Sequence, residues 1–278
     1  MNIAFTAYRI SNQIKSMFAP SSAAKSALNR FIRPRRFTPK AWEHKAEASG
    51  TRIAISSKIS AIRWRSSSSE DSKIPNKKLL LVHGWESRAT QMYGLVPALL
   101  NKGYEVIAID MPAHGHSHGN ISHAEAFIQT ILLTQQHFGE FDAIVGHSLG
   151  AAASSIALSR GLNTQKLVLI SGPSNIANVL TRFSQYVGLN NKATQHFLTH
   201  AGNLVGKQPS DLDAINVTDD ILVNTLVIHD QNDVEVPMSE SQRLMDKFKN
   251  AELFITQGLG HRQILKSEEV IDRVSAFL

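Results

Sequence analysis

Six short apolar runs, "KLLLVHG", "YEVIAID", "FDAIVG", "KLVLIS", "NTLVIHD" and "AELFITQ", recur along residues 78–257. Each is too short for a core helix and is bounded by Gly, Asp or Ser, so each reads as a β-strand. Because they are apolar almost throughout, they predict burial on both faces, the condition of parallel strands covered by helices. Helical stretches at about 91–101, 123–138, 149–159, 239–248 and 264–278 separate most of them. That alternation predicts the α/β class, with a mainly parallel, doubly wound sheet. Upstream, "TRIAISSKISAIRWRS" alternates apolar and polar residues and predicts a leading antiparallel hairpin, followed by the polar loop "SSSSEDSKIPNKK".

One connection breaks the rhythm. Between "KLVLIS" and "NTLVIHD" lie about fifty residues instead of one helix. Ile176, Val179, Leu180, Phe183 and Val187 recur there at helical spacing, and Phe197, Leu198, Ala201 and Val205 do so again. This predicts a small helical lid, a lid insertion at about 174–223, placed at a strand end where a cover over a pocket belongs.

Two pentapeptides fit G-x-S-x-G: "GHSHG" at 115–119 and "GHSLG" at 146–150. A nucleophile elbow needs its serine on a sharp turn directly between a strand and a helix, with small neighbours that let the two approach. "FDAIVGHSLGAAASSIALSR" meets that demand, and the positive end of the following helix points toward Ser148. In "DMPAHGHSHGNISHAEAF" the strand ends at Asp110 and the helix starts only after Ser122, a candidate N-cap with Glu125 at the capping-box position. Ser117 is therefore expected to be a turn serine.

A serine hydroxyl needs a base, and the base needs an acceptor that fixes its tautomer. "NTLVIHDQNDVEVP" offers Asp230, Asp233 and Glu235 beyond a strand end. In the order Ser, Asp, His, the base follows the acid, and His261 in "QGLGHRQ" is the only histidine after Asp233.

Taken together, "LLLVHGW", "IDMPAHGHSHG", "VGHSLG", "IHDQNDVEVP" and "GLGH" make residues 51–278 resemble the α/β-hydrolase fold family. The resemblance implies Ser148, Asp233 and His261 as the catalytic set, Asp233 by its place in H-G-x-x-D-x-x-V-P. The chain departs from that pattern at Asp230, where glycine is usual. It also implies an oxyanion hole from the backbone N–H groups of Leu149 and Trp85. The implied sheet order sets Ser148 two strands, roughly 10 Å, from the strand bearing Asp233, and the strand preceding Ser117 about twice as far.

Charge divides the chain. Residues 1–65 hold 13 Lys and Arg against two acids, Glu43 and Glu47, while the remainder holds 16 against 21. Residues 1–50 thus read as a basic helical N-terminal arm before a mildly acidic body at 51–278. Arg9, Asn12, Gln13 and Lys15 interrupt any signal-peptide core; the Ser-rich, acid-poor composition fits an organelle-targeting segment; and two amphipathic helices at about 3–18 and 22–32 fit a structural role. A patch attracting anionic lipid or nucleic acid is a further reading of the arm.

Absence of cysteine excludes disulfides and a thiol nucleophile. No apolar stretch reaches the length of a membrane span, so no integral membrane association is expected and a cytoplasmic location is. No nucleotide fingerprint is present and no nucleic-acid motif accompanies the charge, so no cofactor and no nucleic-acid partner are expected. His114, His116, His118 and His123 cluster in one loop without neighbouring carboxylates, so no metal is expected there. The expected activity is serine-dependent hydrolysis of a small, partly apolar carboxylic ester through an acyl-enzyme. A thioesterase or acyltransferase on the same triad, and a non-catalytic binding protein on a hydrolase scaffold, are the alternatives.

Overall fold

The computed structural model describes residues 3–66, 77–216 and 222–278. Most of the polar loop (67–76) and the tail of the insertion (217–221) lie outside the described residues. Eight strands form one sheet: β1 (Thr51–Ala54), β2 (Ser60–Trp64), β3 (Lys77–Val82), β4 (Tyr104–Asp110), β5 (Ala143–His147), β6 (Lys166–Ile170), β7 (Asn224–Asp230) and β8 (Ala251–Thr256). Their spatial order is β1-β2-β4-β3-β5-β6-β7-β8. β1 and β2 pair antiparallel, β2 continues antiparallel onto β4, and every later pair is parallel. β5 sits beside β3 and two strands from β7, the separation the sequence resemblance implies.

The apolar runs fill both faces. Leu80, Val82, Ile107, Ile109 and Ile144 point to one core, packed against α5 (Ala124–Phe138), α6 (Leu149–Leu158) and α9 (Ser239–Met245). Leu79, Leu81, Val106, Ala108 and Val145 point to the other, packed against α4 (Val96–Asn101) and α11 (Glu268–Phe277). β8 is the exception. As the far edge strand it is only partly buried, which its apolar sequence did not anticipate.

Three helical boundaries differ from the sequence expectation. The stretch near 91–101 splits into a 3-10 turn, Ala89–Leu95, and α4, which carries Pro97 in its first turn, and Gly94 in the 3-10 turn packs so tightly that a Cβ there meets the Leu265 carbonyl at 2.6 Å. The stretch near 264–278 is divided by Ser267 into a 3-10 turn, Ile264–Lys266, and α11. The N-cap of α5 is His123, whose Nδ1 accepts from the Ala126 N–H at 3.1 Å, while the Ser122 hydroxyl is buried without a partner among the described residues.

Residues 3–48 form α1 (Ile3–Phe18), α2 (Pro20–Phe31) and α3 (Ala41–Ala48). α3 was not foreseen, since "AWEHKAEA" is short and lacks an apolar period. The insertion forms α7 (Ile176–Tyr186) and α8 (Asn191–Val205). α2 buries Ala23, Ala24, Ala27 and Leu28 in the same core as Phe197 and Ala193 of α8. The small alanines let the two helices approach closely. The N-terminal helices and the inserted helices, some 175 residues apart, thus form one layer.

Candidate active site

The site begins with a backbone that most residues avoid. Ser148 has φ 53° and ψ −125°, between the end of β5 and the start of α6. A non-glycine residue there is strained, and the strain is held by its neighbours. Its own N–H donates to the Ile170 carbonyl at 2.9 Å. The flanking glycines are required by space: a Cβ on Gly146 would meet Ala151 Cα at 2.6 Å, and one on Gly150 would meet the Val82 and His83 carbonyl oxygens at 2.3 and 2.5 Å. Glycine at both positions lets α6 start directly above β3 and β5, with Ser148 raised at the apex.

His261 lies at the start of a short helical turn, α10 (Gly260–Gln263), beyond β8. Its Nε2 is 2.9 Å from Ser148 Oγ and its Nδ1 is 2.7 Å from Asp233 Oδ2. Asp233 follows β7, and its Oδ1 accepts the Glu235 and Val236 N–H groups, both at 2.9 Å. Burial pushes its carboxyl up, but the hydrogen bonds from His229 and His261 and the Val236 N–H outweigh this and hold it well below the ordinary range. It is therefore a charged acceptor at neutral pH. A hydroxyl, an imidazole and a buried carboxylate in this sequence of contacts can move a proton off the hydroxyl and stabilise the resulting imidazolium.

Asp230 has another task. Its carboxylate accepts from the Asn232, Leu259 and Gly260 N–H groups at 2.9–3.0 Å and from the Thr256 hydroxyl at 2.8 Å. Burial raises its carboxyl, and these hydrogen bonds from Gly260, Leu259 and Thr256 reverse the effect and leave it below the usual value. Asp230 fixes the loop that delivers His261 and does not touch the ring. The sequence shows a departure at Asp230 from the glycine usual there, but not this anchoring role.

His147 braces the same ring from behind. Its Nε2 lies 2.8 Å from the His261 carbonyl, and burial pushes its imidazole down to about 3. Its Nδ1 has no hydrogen-bond partner among the described residues.

Two backbone amides near the serine are candidate donors. Leu149 is the first residue of α6, so its N–H has no acceptor within the helix. Gly84 lies so close that a Cβ would stand 2.7 Å from Ser148 Cβ. Of the amides that follow, Glu86 N–H is taken by His114 Nε2 at 3.0 Å, which leaves Trp85 N–H as the candidate.

The structure places Ser117 elsewhere. Its hydroxyl donates to the Asp110 carbonyl at 2.5 Å and accepts from the Ser60 N–H at 2.9 Å, tying the loop to β2. The loop winds around the Asp110 side chain, which accepts from Ala89 N–H at 2.8 Å, His116 N–H at 3.0 Å and the Arg52 guanidinium at 3.1 Å. Arg36 closes it from outside, donating to the carbonyls of Gly115, Ser117 and Gly119 at 2.7–3.2 Å. The nearby histidines are engaged separately, His114 with Glu86 N–H, His116 with Glu47 and His123 as the α5 cap.

Above Ser148 opens a cavity of about 740 Å³, lined largely by apolar side chains that include Leu28 and Phe31 of α2, Trp85, Leu180 and Phe183 of α7, and Val205 of α8. Phe31 stacks on Trp85 with ring centroids 5.4 Å apart. The base of α7 is anchored by two acids. Asp213 accepts the Ile176 and Ala177 N–H groups at 2.6 and 3.2 Å, and Glu240 accepts from Ser174, Arg182 and Arg243. Burial raises the Asp213 carboxyl to about 6 despite the two N–H donors.

Known proteins share this arrangement of elements. A family model described as "Alpha/beta hydrolase family" matches residues 79–205, and one described as "TAP-like protein" matches residues 195–278. A serine hydrolase-like protein of Dictyostelium discoideum is 32% identical over 89 residues, which are 30% of this chain and 25% of that protein. The match thus spans about a quarter of that relative's length. An esterase of Pyrococcus furiosus, Pf2001, superposes with a TM-score of 0.63 at 21% identity, covering 89% of this chain and 98% of its own. A putative lipase of Acinetobacter baumannii gives 0.63 at 17% identity, covering 87% and 96%. At such identities the likeness is one of fold.

Proposed function

We propose that this chain, which belongs to the α/β-hydrolase fold family, is a serine-dependent hydrolase acting on a carboxylic ester through an acyl-enzyme. His261 takes the proton from Ser148 as the hydroxyl attacks the ester carbonyl, and returns it to the leaving alcohol. Asp233 holds the ring tautomer and stabilises the imidazolium. The N–H groups of Leu149 and Trp85 receive the oxyanion, each such donor being worth roughly 3 kcal/mol in the transition state. Water, deprotonated by the same histidine, releases the acid.

The observation that carries this reading is the pair of contacts at His261, 2.9 Å to Ser148 Oγ and 2.7 Å to Asp233 Oδ2. The largely apolar cavity supports a substrate with a hydrocarbon part. Residues 1–50 and the insertion at about 174–223 act in this reading as two halves of one cover, since Leu28 and Phe31 face the same cavity as Leu180 and Phe183.

The test is labelling by a fluorophosphonate probe together with turnover of p-nitrophenyl esters from acetate to palmitate. Labelling lost in Ser148→Ala and kept in Ser117→Ala is the expected result, with turnover highest for chains long enough to occupy the cavity. A wild-type protein that neither labels nor turns over any ester in the series defeats the proposal.

A further inference from the structure

α1 is built inside out. Its inward face carries Asn12 and Ser16, 1% and 2% exposed, beside Phe5 and Tyr8. Its outward face carries Ile3, Ile10, Ile14, Met17 and Phe18, exposed by 86, 49, 53, 72 and 83%. At 3.6 residues per turn these five fall within an arc of about 100°. Single exposed apolar residues are ordinary, but five on one stripe, opposite buried polar residues, form a surface that water disfavours.

The helix cannot roll over to hide that stripe. Asn12 Nδ2 donates to the Val187 carbonyl and Asn190 Nδ2 to the Ser16 carbonyl, both at 2.9 Å. Phe5 stacks on Tyr186 with centroids 4.8 Å apart, and Tyr186 lines the cavity above Ser148. The inward face is thereby locked to α7 and the start of α8, and the stripe is left facing outward.

The charge around it has one sign. Arg9 and Lys15 flank the stripe on either side of the helix, and no acid occurs before Glu43. Arg35 and Arg36 are committed to Glu86 and to the loop carbonyls, while Arg9, Lys15, Lys25, Arg30 and Arg33 stand exposed. An apolar stripe with cations at its margins is the pattern of a helix that lies in the plane of a membrane interface, its apolar side among acyl chains and its cations at the headgroups. No helix among the described residues is long and apolar enough to cross a membrane.

We propose that the outward stripe of α1, with Arg9 and Lys15 beside it, docks this protein on the surface of an anionic lipid bilayer. Docking requires neither Ser148 nor turnover, so it stands or falls apart from the hydrolase reading.

The test is sedimentation of the full chain with vesicles of mixed phosphatidylglycerol and phosphatidylcholine, against vesicles of phosphatidylcholine alone. One variant combines Ile10→Ser, Ile14→Ser, Met17→Ser and Phe18→Ser; the other combines Arg9→Gln and Lys15→Gln. The wild type is expected to partition onto the anionic vesicles at least about tenfold more strongly than onto the neutral ones. The charge variant loses about tenfold of that binding, and the stripe variant falls to the neutral-vesicle level. Both variants keep the wild-type melting temperature and circular-dichroism spectrum. Wild-type binding equal on both vesicles, or unchanged in the stripe variant, overturns the proposal. So does a dimer in light scattering that the stripe variant abolishes while no vesicle binding is seen, which assigns the face to a second copy.

Discussion

At 146–150 and at 115–119 the chain writes the same pattern twice and folds it into opposite objects. In "GHSLG" the serine is lifted on a strained backbone, φ 53°, with its hydroxyl toward His261. In "GHSHG" both the hydroxyl and the surrounding amides are consumed by the fold, around Asp110 and under Arg36. Both first glycines, Gly146 and Gly115, are required by space, the latter against the Asp110 carboxylate; the second glycines differ. Gly150 is demanded by two carbonyl oxygens of β3 and its following residue, whereas a Cβ on Gly119 comes no nearer than 3.8 Å to any neighbour and meets only its positive φ of 105°. A G-x-S-x-G match thus acquires chemical meaning from where its serine hydroxyl is delivered, toward His261 at Ser148 and into the Asp110 carbonyl at Ser117.

The contrast is most exposed to failure in activity. Ser148→Ala is expected to lower kcat/KM by about 10⁴-fold or more, and Ser117→Ala to leave it within a few fold. Steady-state ester kinetics on both variants decide, and equal losses erase the distinction. Next, Gly150→Ala drives a methyl group into backbone oxygens and should cost about 3 kcal/mol or more. Gly119→Ala adds only left-handed strain, about 1–2 kcal/mol. Urea midpoints of the two variants measure the gap.

Acid should destabilise both turns alike. Burial holds His83, His114 and His147 neutral in the folded protein, at about 4, 3 and 3. The unfolded chain binds their protons near pH 6.5, so the stability they support is complete above that pH and is lost as pH falls toward the folded values. Asp213, raised to about 6, takes up a proton in the folded state and offsets one of the three. For these four groups alone the net of two protons gives a slope of about 3 kcal/mol per pH unit near pH 5, and His123, also pushed down by burial, adds to it. His147→Gln and His114→Gln should each remove about one proton from the slope of stability against pH.

Smaller effects follow at the structural turn. Ser117→Ala leaves the Ser60 N–H without its acceptor and should cost about 1–3 kcal/mol, a fall in Tm of about 2–4 °C per kcal/mol. Arg36→Ala should cost about 1 kcal/mol and raise hydrogen exchange at 113–119 while leaving 146–150 unchanged.

Legibility in the sequence tracks the range of the interaction. The strands, the elbow and the order of Ser148, Asp233 and His261 could be read because each rests on a local pattern or on chain order. The anchoring of the His261 loop by Asp230 could not, because its four donors come from two separated segments. The 3–18 stretch could be read as an amphipathic helix, but not which face turns outward; that follows from Asn12 meeting the carbonyl of Val187, 175 residues away. The packing of α2 against α8 is hidden for the same reason.

That separation sets a schedule for synthesis. Residues 3–31 are made well before residues 176–205, the segment on which they rest. At ribosomal speeds of about 5–20 residues per second, the first helices wait ~10–35 s for their partners. During that interval Ala23, Ala27 and Leu28, later sealed against α8, are open to solvent together with the stripe of α1. During synthesis residues 3–31 therefore form an adhesive segment, and how a cell shields it bears on how much folded protein is recovered.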